Sequence, residues 1–191
     1  LNNADNIIFN NLEISSTTNV NPVQVAPSTD TSDNIQVRRC KLSTGANSSL
    51  TSYAVVYAIG KVNNLKIVGN TISRSAGIVI QGNNFIGAYT PGIEIDSNRF
   101  DSSVGATYCY KPMIVQYAYA PKLRNNVFNR AATGGTSGAT QDVSLINISG
   151  PGEFSYNRVY NTATLSSFST VYLNTVTVSY THLRAHETLR Y

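Results

Sequence analysis

One nine-residue pattern recurs six times along the chain, and it constrains the fold more than any other feature. Positions four and nine are apolar in every copy, position two is apolar in the first four, and position seven is Asn in the last four. The seventh positions of successive copies lie 28 to 31 residues apart. A repeat of this length is typical of proteins built from stacked, similar units. The copies span residues 6–14, 34–42, 64–72, 92–100, 120–128 and 151–159.

The spacing of apolar residues within a copy predicts a strand, a bend and a second strand. Positions two and four, such as Leu65 and Ile67, alternate with polar residues, which is the period of a β-strand. The apolar spacing then changes from two to three, so we expect a sharp bend at positions five and six. Asn11, Gly69 and Asn125 occupy position six. Asn and Gly tolerate the left-handed backbone that such a bend often requires.

Each copy is followed by a further strand-like stretch, with loops rich in Gly, Ser and Thr between them. No single unit can bury its apolar face alone, so stacking must supply the continuous core. We therefore predict an all-β solenoid in residues 1–177, with about six coils of about 29 residues. The further stretches are Val23–Val25, Tyr53–Ile59, Gly77–Gln81, Met113–Tyr119, Val143–Ile148 and Val171–Leu173.

The repeat resembles that of the right-handed parallel β-helix family, which has the pectate-lyase-like fold. The resemblance covers residues 4–177 and implies a right-handed, single-stranded parallel β-helix. Leu12 and Cys40 occupy position seven of the first two copies and depart from the family's pattern. Because no capping segment is recognisable, we expect a fragment that is open at both ends. The family's inward-facing Asn ladder corresponds to Asn70, Asn98, Asn126 and Asn157.

The last residues of the chain are expected not to belong to the native protein. Residues 178–188 resemble the translated read-through of a transposon-type DNA sequencing adapter, and we expect residues 189–191 to have the same origin. We therefore treat residues 178–191 as a non-native, irregular tail. Both histidines, His182 and His186, lie in it. General-base catalysis by imidazole is consequently not expected from residues 1–177.

The composition indicates neither a nucleic-acid partner nor a membrane span. Only 13% of the residues are charged, and the net charge of +4 is mild and without a basic run. No apolar stretch approaches the ~18 residues that a membrane-spanning helix needs. Cys40 and Cys109 lie two coils apart, which is too far for a disulfide, so we expect two free thiols. We predict no metal site and no cofactor.

Charged residues alternate in sign when the copies are stacked in register. Position three reads Lys66, Glu94, Lys122 and Glu153 in successive copies. At position five, Asp96 is followed one coil later by Arg124. Opposite charges on neighbouring strands favour a sheet, so we interpret these carboxylates as a solvated salt-bridge ladder. No residue is assigned a catalytic role.

Tyrosines are the candidate ligand-binding residues, and the chain has 12 of them. The Tyr ring has a flat apolar face and a polar tip, which suits contact with a sugar ring. If the side chains point outward, they form a platform for a glycan. Otherwise they are ordinary strand or core residues. The candidates are Tyr57, Tyr89, Tyr108, Tyr110, Tyr117 and Tyr119.

The expected function is that of a non-catalytic β-helix segment of a large secreted or surface-attached microbial protein. Such a segment acts as a rigid spacer or as an adhesive surface that binds a polysaccharide or a cell-surface glycan. The alternative, implied by the same resemblance, is a polysaccharide lyase or hydrolase, or a phage tailspike depolymerase, with its catalytic residues outside this chain. Only the lyase would imply bound Ca²⁺, and only the tailspike would imply a trimer. The repeat itself leaves the oligomeric state open.

Overall fold

The computed structural model describes residues 1–18, 20–28, 30–44, 54–73, 77–82, 89–101, 112–130, 140–161 and 168–177. These residues form an all-β, parallel solenoid, and no helix occurs among them. The predicted fold class is therefore confirmed. The proposed non-native tail, residues 178–191, lies outside the described residues. The strands are β1 (Ile8–Asn10), β2 (Glu13–Ser16), β3 (Val23–Val25), β4 (Ser32–Asp33), β5 (Gln36–Arg38), β6 (Lys41–Thr44), β7 (Val56–Gly60), β8 (Val62–Asn63), β9 (Lys66–Val68), β10 (Thr71–Ser73), β11 (Ile78–Gly82), β12 (Thr90–Pro91), β13 (Glu94–Asp96), β14 (Arg99–Asp101), β15 (Met113–Gln116), β16 (Ala118–Tyr119), β17 (Lys122–Arg124), β18 (Val127–Arg130), β19 (Thr140–Ser149), β20 (Glu153–Ser155), β21 (Arg158–Asn161) and β22 (Phe168–Thr177).

Three parallel sheets form the faces of the solenoid. The first sheet has six strands in the order β1-β5-β9-β13-β17-β20, and the second has six in the order β2-β6-β10-β14-β18-β21. The third sheet contains β3, β7, β11, β15, β19 and β22, and β12 and β16 join it through β19. The short strands β4, β8, β12 and β16 each lie between a strand of the third sheet and the next strand of the first. Each coil therefore has three main bends, one between each pair of successive sheets.

The strand register is the one that the repeat predicts, in both the first and the second sheet. Lys66 lies opposite Gln36 in the preceding coil and Glu94 in the following coil. In the second sheet, Thr71 lies opposite Lys41 and Arg99. Neighbouring residues in these two sheets are 28 to 31 positions apart, so equivalent positions of the nine-residue pattern stack along the axis.

Every copy bends through a left-handed residue at position six, as predicted. The φ angle there lies between 52° and 67° for Asn11, Arg39, Gly69, Ser97, Asn125 and Tyr156. A second left-handed corner, which the sequence analysis did not identify, occurs at position one, with φ between 47° and 71° for Asn6, Asn34, Asn64, Gly92 and Ala120. Because the first sheet lies between these two bends, its strands remain only three residues long.

The core is a set of apolar columns that run through the coils. In the first sheet the residues at position four stack on one another, and Val37, Ile67, Ile95 and Leu123 are at most 1% exposed. In the second sheet the column at position nine contains Leu42, Ile72, Phe100 and Phe128. Full burial of one such side chain contributes about 1.5–3 kcal/mol. The coils therefore stabilise one another through contacts that no coil has by itself.

Cys40 is part of this core. It is buried and free, as predicted, and its Sγ lies 3.2 Å from the backbone oxygen of Arg38 as a hydrogen-bond donor. Cys109 lies outside the described residues. A search of the described residues for a helix of sufficient length and apolarity to cross a membrane finds none.

Candidate functional site

A ladder of Asn side chains lines the interior of the bend between the first and second sheets. The Asn98 Nδ2 donates to the Ile67 backbone oxygen at 2.8 Å and to the Asn126 Oδ1 at 3.0 Å. The Asn98 Oδ1 accepts from the backbone N and from the Nδ2 of Asn70, at 3.0 and 2.9 Å. Each inner Asn therefore joins three coils, although its side chain is at most 1% exposed.

The same bonds recur on both sides of Asn98. Asn126 donates through Nδ2 to the Ile95 backbone oxygen and to the Asn157 Oδ1, both at 2.9 Å. At the other end, the Asn70 Oδ1 accepts from the Cys40 backbone N at 2.8 Å. A buried amide is costly unless its donors and acceptors are bonded. The ladder therefore fixes the bend that displays the outer side chains at positions five and six.

A charged network lies on the outer face of the first sheet and is centred on Arg124. Its Nη2 lies 2.6 Å from the Glu94 Oε1 and 2.9 Å from the Asp96 Oδ2. Its Nη1 lies 3.6 Å from the Glu153 Oε2, in the following coil. The Lys66 Nζ completes the network at 3.4 Å from the Glu94 Oε2. One guanidinium thus lies within 4 Å of three carboxylates, which come from the coil before it and the coil after it.

The network agrees with the predicted salt-bridge ladder in part. The pairs of Lys66 with Glu94 and of Asp96 with Arg124 are confirmed. Glu94 was also expected to pair with Lys122, but Lys122 forms no ion pair with any described residue, and Arg124 binds Glu94 instead. The longer, planar Arg side chain reaches diagonally to position three of the coil before it, where it donates to a carboxylate.

Asp96 is held in its ionised form. Burial alone would raise the pKa of this carboxyl, but hydrogen bonds from Asn125 and Ser97 and the positive charge of Arg124 hold its pKa below the ordinary value of 3.8. The Asn125 Nδ2 donates to the Asp96 Oδ1 at 3.0 Å, and the Ser97 Oγ donates to the same atom at 2.7 Å. An anion stabilised in this way is suited to joining coils rather than to accepting a proton near neutral pH.

Acidification is expected to remove the stability that Asp96 contributes. The unfolded chain takes up a proton near the ordinary pKa of 3.8, whereas the folded chain does so only at lower pH. Stability is therefore complete above about pH 5 and is lost as the pH falls through the lowered pKa. Urea unfolding measured from about pH 6 to about pH 2 should show a smaller loss in Asp96→Asn than in the unchanged chain. An unchanged acid dependence in Asp96→Asn would contradict this assignment.

Asp5, Asp30 and Asp33, in the first two coils, form hydrogen bonds with residues of the loops and of the short strand β4. The Asp5 Oδ1 accepts from the Asp33 backbone N at 2.8 Å, and the Asp33 Oδ2 accepts from the Thr31 Oγ1 at 3.1 Å. The Asp30 Oδ1 accepts from the Thr31 backbone N at 2.8 Å. Within the described ranges, no group of three or more His, Cys, Asp or Glu side chains is arranged to hold a metal ion.

Three of the six candidate tyrosines lie in neighbouring backbone segments at one corner of the solenoid. The Thr90 backbone N donates to the Tyr117 backbone oxygen at 2.8 Å, which places Tyr89 and Tyr117 next to each other in neighbouring coils. Pro91 lies opposite Tyr119 where β12 pairs with β16. Tyr89 is 37% exposed and Tyr119 is 48% exposed, while Tyr117 is half-buried. We call Tyr89, Pro91, Tyr117 and Tyr119 the aromatic corner.

The ring of Tyr119 lies directly against the backbone of the next coil. A Cβ atom added to Gly150 would stand only 2.6 Å from the Tyr119 ring, so only Gly leaves room for the ring in this position. Gly150 also has a φ of 77°, a conformation that Gly adopts without strain. The ring is thus supported on one side, while Tyr119 as a whole remains exposed to solvent.

The other candidate tyrosines are not at this corner. Tyr57 lies on β7 in the third sheet, is half-buried against Ala54, Val79 and Ile114, and donates through its hydroxyl to the Gln81 Oε1 at 3.3 Å. Tyr108 and Tyr110 lie outside the described residues. Tyr156 and Tyr160, which are not among the six candidates, are 57% and 47% exposed. Tyr156 occupies the outward-facing position six of the last copy and Tyr160 directly follows the inward-facing Val159, and these places in the sequence could have identified both.

A comparison with protein-family models, with curated proteins and with solved structures finds no significant match to this chain.

Proposed function

We propose that this chain is a non-catalytic segment of a right-handed parallel β-helix, of the pectate-lyase-like family, in a large secreted or surface-attached microbial protein. Its place is the extracellular space or the cell surface. There it acts as a rigid spacer that also presents an adhesive surface for a polysaccharide or a cell-surface glycan. The exposed aromatic corner is the observation that carries the adhesive part of the proposal.

The carboxylates of the first sheet support a structural rather than a catalytic role. A glycosidase needs two carboxyl groups that differ in protonation and that flank the scissile bond. Glu94, Asp96 and Glu153 instead share one Arg124 guanidinium. Among them, Asp96 has its pKa held below the ordinary value by hydrogen bonds from Asn125 and Ser97 and by the charge of Arg124. They therefore act as links between coils, which is what a stiff spacer requires.

The aromatic corner supports glycan binding because of its shape and its chemistry. Tyr89 and Tyr119 expose ring surface on neighbouring coils, and these strands are about 4.8 Å apart. A sugar ring can pack on the apolar face of a Tyr ring while its hydroxyl groups bond to the phenol oxygen or to water. The Gly150 backbone behind Tyr119 limits the motion of the ring. Less conformational entropy is then lost on binding.

Replacing Tyr119 by Ala is expected to weaken binding of a neutral polysaccharide by about fivefold to tenfold, since one aromatic contact contributes about 1 kcal/mol beyond its buried area. Affinity electrophoresis in gels containing galactan, xylan or soluble cellulose derivatives would measure the change in dissociation constant. Tyr89→Ala should show the same direction of effect. Tyr160→Ala is the matched control, because Tyr160 is equally exposed but lies on β21 in the second sheet.

Two results would count against the proposal. If Tyr160→Ala weakens binding as much as Tyr119→Ala, then the aromatic corner is not the binding surface. If the chain shortens any of these polysaccharides during prolonged incubation, as seen by the release of reducing ends, then it is an enzyme rather than a spacer.

A further inference from the structure

The residue at position seven of the repeat determines whether a buried side chain links successive coils. Where it is Asn, as at Asn98, one amide bonds to the coil before it and to the coil after it. Position seven is Leu12 in the first copy and Cys40 in the second. The Cys40 Sγ donates to the Arg38 backbone oxygen, within its own copy. The ladder therefore reaches the second coil, through Asn70, but not the first.

The contact between the first and second coils, which we call the first joint, is the pairing of β1, β2 and β3 with β5, β6 and β7. Its backbone hydrogen bonds are like those between later coils. The Gln36 N donates to the Ile7 backbone oxygen at 2.8 Å, and the Glu153 N donates to the Pro121 backbone oxygen, also at 2.8 Å. The first joint therefore differs from later joints in its side chains rather than in its backbone.

The side-chain bonds of the first joint lie mostly at the surface. The Asp5 Oδ1 accepts from the Asp33 backbone N at 2.8 Å, and the Asn34 Nδ2 donates to the Asn6 Oδ1 at 3.1 Å; both bonds are exposed. Water can replace the partner of an exposed group, so such bonds cost little to break. Among the residues that the structure describes, no ion pair joins the first two coils.

Apolar packing is similar at the joint between the fifth and sixth coils, which we call the last joint. Phe9 at position four of the first coil is half-buried, and so is Phe154 at position four of the sixth. The last joint nevertheless has the ladder. The Asn157 Oδ1 accepts from the backbone N and from the Nδ2 of Asn126, at 3.0 and 2.9 Å. The two joints therefore differ mainly in the presence of an Asn at position seven.

We propose that the first joint opens before the later joints, so that β1, β2 and β3 leave the column together while the coils joined by the Asn ladder stay stacked. This conformational step goes beyond the glycan-binding function and does not depend on it. In a stacked protein, each unit is held by its contacts with its neighbours, and the weakest contact opens at the lowest free energy. Opening uncovers the edges of β5, β6 and β7, whose N–H and C=O groups can then pair with another strand.

Hydrogen exchange resolved by NMR tests the proposal in the unchanged chain. The N–H groups of Gln36 and Lys41 donate across the first joint, and those of Glu153 and Arg158 donate from the same repeat positions across the last joint. Protection factors of Gln36 and Lys41 should be lower by about tenfold or more, because the ladder bonds are absent there. Equal protection at the two joints would show that the missing Asn does not weaken the first joint, and would overturn the proposal.

Cys40→Asn should strengthen the first joint by extending the ladder. The new amide can accept from the Leu12 backbone N and donate to the Asn70 Oδ1 and the Phe9 backbone oxygen, as Asn70 does with its own neighbours. Protection of the Lys41 N–H should rise by about tenfold. Cys40→Ala is the matched control, because it removes the thiol without adding an amide, and it should not raise protection.

The variants contradict the proposal if Cys40→Asn retains the sheet, as judged by circular dichroism, and the protection of Lys41 does not rise. An equal rise in Cys40→Ala would also contradict it, since removal of the thiol would then be the cause. If Cys40→Asn does not fold, the comparison of the first and last joints in the unchanged chain still decides between the two outcomes.

Discussion

Replacing Asn98 by Ala is expected to lower the free energy of unfolding by about 3–5 kcal/mol. The substitution removes the bonds from Asn98 to Ile67 and Asn126 and leaves the backbone N and the Nδ2 of Asn70 without their acceptor. Each buried group left without a partner costs about 1–3 kcal/mol. Urea unfolding followed by circular dichroism would measure the loss.

Two variants make this result interpretable. Asn10→Ala removes an exposed Asn at the edge of the first sheet and should change stability by less than about 0.5 kcal/mol. Asn98→Leu restores apolar volume but not the hydrogen bonds, so it should remain clearly destabilised. A stable Asn98→Leu would mean that the hydrogen bonds of the ladder add little stability beyond packing. It would also mean that Leu, which occupies position seven of the first copy, could occupy that position in later copies.

Replacing Phe128 by Ala is expected to cost about 3–5 kcal/mol through loss of buried surface and formation of a cavity. The Phe128 ring is stacked on that of Phe100, with centroids 4.7 Å apart and planes inclined by 15°, and both side chains are 1% exposed. Thermal or urea unfolding would measure the change. A double-mutant cycle with Phe100→Ala should give a coupling energy of about 0.5–1.5 kcal/mol.

Phe9 provides the matched control for this experiment. It is an aromatic residue of the first coil that is only half-buried and packs at the edge of the core. Phe9→Ala should therefore cost clearly less than Phe128→Ala. Equal losses in the two variants would mean that the ends and the middle of the core are equally well packed. That result would contradict the prediction, because Phe9 is more exposed than Phe128.

The nine-residue segment was predictable because its signals are local. Alternation of apolar residues determines which side chains face inward, and the change in spacing marks the bend. The bend residues themselves were predicted less completely. Arg39 and Ser97 are poor candidates for a left-handed backbone, yet both adopt it, with their backbone N atoms bonded to Val68 and Arg124 at 3.0 Å. Hydrogen bonds between coils outweigh the residue's own preference there.

The features that the sequence analysis missed depend on side-chain reach and on neighbouring coils. Strands as short as β4 and β8 contain too few residues to show alternation. The diagonal bond from Arg124 to Glu94 depends on the rotamer of the Arg side chain, which the sequence does not specify. Strand register alone places Lys122 opposite Glu94, and Lys122 was therefore predicted as the partner of Glu94. The exposure of each tyrosine likewise depends on residues from neighbouring strands and coils. The sequence makes both Tyr57 and Tyr119 candidates. Tyr57 is half-buried because it packs against apolar neighbours on its sheet, whereas Tyr119 lies beside Gly150 and is exposed.

The constant register has a consequence for how a chain like this can change in length. The spacing between equivalent positions varies from 28 to 31 residues, and all of this variation lies outside the nine-residue segments. Every gain or loss of residues therefore falls between those segments. Each segment meets the same partners whatever length of chain precedes it. Insertions and deletions at those intervals are therefore expected to alter what protrudes from the column while the hydrogen bonds along its axis keep their alignment. The surface that the protein presents to a ligand and the stability of its stacked sheets can then vary independently of each other.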